Sequence, residues 1–271
     1  MSKQQVQQQF GANAAAYATS EVHAKGASLA RLVELVQPQA DWQVLDIATA
    51  AGHTAFIFAP HVAHVTASDL TPEMLTVAAN LAQERGIPNV SFREADAEAL
   101  PFANASFDLV TCRIAPHHFP NVAQFLAEAA RVLRPGGTLA VVDNVVPGSK
   151  LHGKKGRLLR EAGEYVNAFE KLRDPSHHRC LSLDEWEDGF RKAGFTLHHS
   201  ETAFKAMTFG PWADRMQVSP DNKTRLKAML VQAPTAVSEF LTPQFSEDRI
   251  TFRLTEAILV GKLESKKWDA D

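Results

Sequence analysis

The chain has little cysteine, no excess of either charge and no long apolar run, and each shortage excludes a class of protein. Cys112 and Cys180 are its only cysteines. Two thiols so far apart make neither a disulfide framework nor a zinc knuckle, and they fit a reducing compartment. A net charge of −3 gives no basic footprint for a phosphate backbone, so no nucleic acid is expected as a general partner. No apolar run approaches the roughly 20 residues of a membrane helix, and near the front residues 55–59 are cut short by Pro60. The opening Met1-Ser2-Lys3, followed by five glutamines before Phe10, has no signal-peptide core. The expectation is a cytoplasmic protein without stable membrane insertion, with a homo-oligomer left open. The histidines form no i,i+4 pair with a third ligand, so no metal is expected.

What is present is an ordinary globular composition arranged in a strand-helix rhythm. The 271 residues are 45% apolar and 22% charged, enough for one large α/β domain carrying a substantial insertion. Residues 1–20 are polar and alanine-rich, with Phe10 and Tyr17 spaced to share a helical face, and 23–36 read as an amphipathic helix stopped by Pro38. Strands are predicted at 43–48, 64–69, 90–95, 107–113 and 138–143, alternating with helices at 52–58, 71–85 and 122–133. Thr71 reads as an N-cap, Pro72 as the first helical residue and Gly86 as the stop. Arg134-Pro135-Gly136-Gly137 closes the third helix. Such short spacing predicts a parallel sheet with right-handed crossovers and helices on both faces. The rhythm breaks at 147–181, which is basic and helical, and again at a second helical stretch, 207–245. Between and after them lie a helix at 184–193 and strands at 195–204 and 250–262.

In an open parallel sheet, ligands gather beyond the carboxyl ends of the strands. Three carboxylates stand there: Asp46, Asp69 and Asp96, after three successive strands. Any one of them alone reads equally well as a turn former or helix cap. Asp69 follows Asp46 by 23 positions, near the roughly 20-residue interval from a nucleotide loop to a ribose-binding carboxylate. Asp96 is placed to accept from an adenine amino group. The intervening loop, Ala48-Thr49-Ala50-Ala51-Gly52-His53, lacks Gly-x-Gly-x-x-Gly, and no Gly-Lys-Ser/Thr occurs. Pyrophosphate ligands need bare backbone amides at a helix end, so NAD and ATP are disfavoured. A sulfonium cofactor carries no phosphate and suits a pocket rich in carboxylates.

These residues resemble the class I S-adenosylmethionine-dependent methyltransferases, in particular the bacterial small-molecule group similar to the ubiquinone/menaquinone C-methyltransferases. The matching pieces are Leu45-Asp46-Ile47-x4-Gly52, Ser68-Asp69-Leu70-Thr71-Pro72-Glu73-Met74-Leu75, Asp96-Ala97-Glu98-Ala99-Leu100-Pro101-Phe102, Phe107-Asp108-Leu109-Val110 and Arg131-Val132-Leu133-Arg134-Pro135-Gly136-Gly137. The resemblance implies S-adenosylmethionine as cofactor, with Ala48 and Gly52 lining its methionine moiety and Asp69 on the ribose hydroxyls. Leu70 would flank the adenine, Asp96 and the Ala97 amide would read its edge, Arg113 would sit beside the cofactor, and Tyr17 would lie in an N-terminal lid. His53 reads as a contact for the cofactor carboxylate or a helix-end group. The departure is at Ala48 and Ala50, where the family pattern has glycine. At negative φ the extra methyl costs little; at positive φ it costs on the order of 1 kcal/mol and weakens cofactor binding.

The implied fold is a Rossmann-like, seven-stranded mixed α/β sheet with its last strand antiparallel. A helical lid spans residues 1–38, and the methyltransferase domain spans 39–271 with cap insertions at about 147–181 and 207–245. His117 and His118, on the loop after the fourth strand, are the candidate proton acceptors for a hydroxyl or amine substrate; the plainer alternative packs one of them beneath the loop. Asn144, Arg173 and His177 are the candidate contacts for a small-molecule acceptor, and the cap aromatics, Phe169 and Trp212 among them, would wall its pocket or simply form core. The expected reaction moves a methyl group to a carbon or oxygen atom of that acceptor. The alternatives are non-methylating chemistry on the same cofactor, such as a cyclisation, and a non-catalytic binding module with a decayed loop.

Overall fold

The computed structural model describes Lys3, residues 7–11, Ala14 and residues 26–264. Two compact units divide the chain: the first contains residues up to Val142 together with Gly189–Glu201 and Ile258 onward, and the second contains Asp143–Asp188 and Thr202–Ala257. The stretches 147–181 and 207–245 both fall in the second unit.

In the first unit, α1 (Ala27–Val36) buries Leu29, Leu32 and Val36 and ends at Gln37, whose left-handed φ of 50° breaks the helix just before Pro38. There follow β1 (Gln43–Ile47), α2 (His53–Phe58), β2 (His64–Asp69), α3 (Pro72–Glu84), β3 (Val90–Glu94), β4 (Phe107–Arg113), α4 (Val122–Val132) and β5 (Leu133–Val145). β1 pairs in parallel with β2 and β4, β2 with β3, and β4 with β5. Strands buried on both faces read as continuous apolar runs, and β1 and β4 do so through Val44, Leu45, Leu109 and Val110. The core between sheet and helices is made by Leu32, Val44, Phe56, Phe58, Val65, Leu109 and Val142. α4 places Phe125, Leu126, Ala129 and Val132 on one buried face, and Asn121 caps it by accepting from the Gln124 amide at 3.1 Å.

The second half of the chain supplies α5 (Gly153–Arg173), α6 (Leu183–Lys192), β6 (Phe195–Thr208), α7 (Phe209–Asp214), α8 (Pro220–Val231), α9 (Thr235–Leu241), β7 (Gln244–Phe245) and β8 (Ile250–Leu263). Within the second unit Phe169, Trp212 and Phe252 meet at its centre, with Phe169 stacked on Trp212 at 5.0 Å. Phe169 and Trp212 are core residues of that unit.

The strand order is β3-β2-β1-β4-β5-β8-β6, and the two-residue β7 adds an antiparallel partner to β8. The seven-stranded mixed sheet therefore stands, with β7 as an eighth strand that only two residues carry and no periodicity announces. Two local expectations change. Thr71 occupies the N-cap position of α3 but makes no side-chain cap hydrogen bond, because its hydroxyl turns to Asp69. The segment Arg134-Pro135-Gly136-Gly137 belongs to β5 rather than to a separate turn. Leu133 already pairs with Phe107, and the register shifts before Thr138 pairs with Leu109. Gly136, at φ 78°, lets the strand bulge there.

Candidate cofactor and active site

The carboxyl ends of β1, β2 and β4 build one polar cluster within the first unit. Asp46 is 1% exposed and is held inside the loop that follows it: Thr49 Oγ1 donates to one carboxylate oxygen at 2.5 Å and Thr111 Oγ1 to the other at 2.7 Å. Burial pushes its carboxyl up to about 6, against those hydroxyls and the charge of Arg113. Asp46 thus organises the loop and carries its charge beneath it.

Asp69 ends β2 with each carboxylate oxygen committed to one backbone amide, Ala50 on one side and Thr71 on the other, both at 2.9 Å. Burial raises its carboxyl above the ordinary value, and these amide bonds oppose the rise. The Thr71 hydroxyl turns to the same carboxylate, which is an acceptor-only group with two lone pairs on each oxygen. The Ala50 contact ties the loop after β1 to the end of β2.

That loop is bent by residues with positive φ. Ala48 has φ 54° and Ala50 φ 48°, and Gly52 follows at φ 86°. Gly52 precedes α2, and a Cβ there would stand 2.5 Å from the Phe56 ring, so this position excludes any side chain. His53 begins α2 and is buried. A third strained residue lies at the end of β4: Ile114, at φ 53°, with its amide donating to Val142 O at 2.7 Å. A β-branched residue there is an outlier, and such strain gathers at functional sites. Nothing in the sequence marked Ile114.

Arg113, the last residue of β4, donates from Nε to Ser28 Oγ of α1 at 3.1 Å, which brings α1 into the site. Pro116–His118 form a single 3-10 turn with both histidines buried and their rings 4.1 Å apart. The Phe10 and His118 rings meet edge to face with centroids 5.0 Å apart, so Phe10 reaches this end of the sheet. Tyr17 lies outside the described residues.

After β3 the chain loops through Asp96 and Ala97. Asp96 accepts from the Glu98 amide at 3.0 Å, and Lys3 forms an ion pair with both Asp96 and Glu98. The Leu70 carbonyl accepts from Gln7 Nε2 at 2.8 Å, and Ala97 is buried. Asp46, Ala48, Gly52, His53, Asp69, Leu70, Asp96, Ala97, Arg113, His117 and His118 all belong to the first unit. Sequence reasoning did not foresee Thr49, Thr111, Ser28, Lys3 or Gln7 as partners of these groups, because hydroxyls and amides carry no spacing signature.

The remaining candidates belong to the second unit. Asn144 keeps its side-chain oxygen buried with no hydrogen-bond partner among the described residues. Arg173 donates to Trp212 O at 3.1 Å, lies over that indole at 4.8 Å and faces Glu170 at 3.8 Å. His177 is 2% exposed, with Nε2 bonded to Asn167 Oδ1 at 2.9 Å.

A parallel sheet whose first two strands end in a bent small-residue loop and a buried carboxylate has the arrangement of nucleoside-binding α/β enzymes. A family model described as a methyltransferase domain matches residues 45–141. The chain is 41% identical over 181 residues to an uncharacterized methyltransferase, YcgJ, of Bacillus subtilis, spanning 67% of this chain and 68% of that protein. It is 34% identical over 185 residues to a demethylmenaquinone methyltransferase of Deinococcus radiodurans, spanning 62% of this chain and 71% of the relative. The solved structure of YcgJ superposes with a TM-score of 0.80 at 33% identity, over 88% of this chain and 98% of that one. The chain belongs to the S-adenosylmethionine-dependent methyltransferase family and is an enzyme of that class.

The residues present fit that cofactor. The cluster offers a buried carboxylate at the end of β2 and a second buried carboxylate under the loop, and residues 48–52 carry no Lys or Arg that would favour a phosphate. These features suit a diol and a cation.

Proposed function

We propose that the protein moves a methyl group from S-adenosylmethionine to a carbon or oxygen atom of a small organic acceptor, leaving S-adenosylhomocysteine. The observation that carries this reading is Asp69, a buried carboxylate fixed at the end of β2 by the Ala50 and Thr71 amides. The bound cofactor supplies an electrophilic methyl on sulfur, so the protein's task is alignment and, where needed, proton removal. Asp69 takes the ribose hydroxyls, Asp96 and the Ala97 amide take the adenine edge, Leu70 flanks the ring, and Ala48, Gly52 and His53 surround the methionine end. Asp46 and Arg113 act from beneath, holding the loop and α1 in place.

For the acceptor we favour the carbon of an electron-rich ring. The support is the likeness to demethylmenaquinone methyltransferases, together with the burial of both candidate bases. Ring attack on the methyl group forms the new carbon–carbon bond and leaves a ring proton for His117 or His118 to accept. His177 is committed to Asn167 and Arg173 to Trp212 and Glu170, which leaves Asn144 as the proposed acceptor contact.

The test is incubation with S-adenosylmethionine and a panel of hydroquinones, phenols and amines, read by S-adenosylhomocysteine release and product mass. A ring-methylated product supports the reading. Methyl transfer only to amines overturns the acceptor class, and cofactor binding without any S-adenosylhomocysteine overturns methyl transfer itself.

A further inference from the structure

The described residues nearest the N-terminus are anchored along the strand ends that carry the candidate site, all within the first unit. Lys3 pairs with Asp96 and, at 2.7 Å, with Glu98, in the loop after β3. Residues 7–11 are helical, and Gln7 donates to the Leu70 carbonyl, just after β2, at 2.8 Å. Gly11 lies against the first turn of α3, where a Cβ would stand 3.3 Å from a Glu73 carboxylate oxygen. Phe10 meets the His118 ring beyond β4. In the strand order β3-β2-β1-β4 the end of β1 lies between these anchors, so residues 7–10 run across it.

Lys3 is the anchor with a chemical consequence. Asp96 accepts from the Glu98 amide at 3.0 Å, and Glu98 accepts from the Asn121 amide at 2.5 Å. The two carboxylates are thus held side by side with one ammonium between them. An adenine amino group is a neutral donor, and it bonds more strongly to a carboxylate whose charge is not already offset. The cofactor is also cationic at sulfur, so a cation seated on Asp96 opposes its approach. Both effects have the same sign. Gln7, meanwhile, holds the carbonyl of Leu70, the residue proposed to flank the adenine.

We infer that residues 3–11 form an autoinhibitory strap, in which Lys3 must leave Asp96 and Glu98 before the adenosine end of the cofactor engages Asp96. The inference rests on the adenine-reading role proposed for Asp96. The Lys3 and Asp96 side chains are 38% and 28% exposed, and an ion pair so open to water is weak. The strap is therefore a latch that lowers cofactor affinity by a small factor, and a bound cofactor displaces it.

The test is titration calorimetry of the full chain with S-adenosylmethionine, in low and in high salt. In low salt Lys3→Met is expected to bind about two- to fivefold more tightly than the wild type, the range for a partly exposed ion pair. That advantage should shrink as salt screens the pair. Lys3→Arg keeps the charge and should bind as the wild type does. In a parallel measurement, chemical acetylation of the Lys3 amine, read by peptide mass, should rise at saturating cofactor as the ammonium is released. Unchanged or weaker binding by Lys3→Met overturns the inference and leaves the cofactor reading standing. So does Lys3 acetylation that falls when cofactor is added, the sign of a segment closing over its ligand. Absence of binding by the wild type and Lys3→Met alike overturns the cofactor reading and the inference with it.

Discussion

Ala48 and Ala50 hold a conformation that glycine adopts freely and alanine does not. Both have left-handed φ, 54° and 48°, so the chain pays local strain to keep methyl groups in its cofactor loop. Replacing each with glycine is expected to raise unfolding stability by up to about 1 kcal/mol, the left-handed penalty less glycine's added chain entropy. Tighter cofactor binding should accompany it; weaker binding would show that the methyls contact the ligand favourably. Gly52 is the opposite case. Gly52→Ala combines positive φ with a collision against Phe56, and denaturant titration should show a loss of about 2–4 kcal/mol. Asp46 makes a pH prediction. Its folded-state value of about 6 lies above the ordinary 3.8, so the folded chain holds the proton more tightly than the unfolded one. Below about pH 3 both states are protonated, and as pH rises the unfolded chain ionises first, so stability is lost through that interval. Relative to Asp46→Asn, the wild type should lose about 3 kcal/mol between about pH 3 and pH 7.5. A difference that stays flat with pH would mean that Asp46 is ionised at no cost.

At the scale of elements, the loop carrying Asp96 is fastened by α4. Arg131 donates to Glu128 and to the carbonyls of Leu100 and Phe102 at 2.8 and 2.7 Å, while Glu128 accepts from the Leu100 amide at 2.7 Å. The guanidinium beside Glu128 holds that carboxyl below its ordinary range. Arg131→Met leaves two loop carbonyls without their donor, and a loss of about 1–3 kcal/mol is expected. Faster amide exchange over residues 96–104 and weaker cofactor affinity should follow, with exchange in β1 unchanged. Arg134 acts likewise on Asp108, which also accepts from the Gln43 amide at 2.8 Å. These contacts explain why Arg131-Val132-Leu133-Arg134-Pro135-Gly136-Gly137 reads as a unit. The elements themselves were legible because apolar periodicity and strand-end carboxylates are local signals. Thr71's hydroxyl turning to Asp69, the β5 bulge and the two-residue β7 were not, since each depends on a partner distant in sequence.

For the whole molecule, the two halves of the chain differ in how much their sequence disclosed. Residues 45–141 carried the small-residue loop, Asp69 and the Asp96 loop in an order that one family uses, so the strand ends that carry the candidate site were legible. The second unit was legible only as helical and aromatic. Its Phe169, Phe209 and Trp212 are spaced as core residues are, and no spacing distinguishes Arg173 stacked on Trp212 from an arginine that grips a ligand. The proposed acceptor contact there, Asn144, is therefore a matter for chemistry to test. Cofactor binding should also stabilise the molecule through mass action: S-adenosylmethionine at about 100 times its Kd should add about 2.7 kcal/mol, seen as a rise in Tm of several degrees. The central claim is that the ends of β1 and β2 hold S-adenosylmethionine through Asp69, and titration calorimetry tests it most directly. One site per chain is expected, with affinity falling at least about tenfold in Asp69→Asn as the charged hydrogen bond to the ribose is lost. Absence of binding by the wild type at millimolar cofactor, or unchanged affinity in Asp69→Asn, would contradict it.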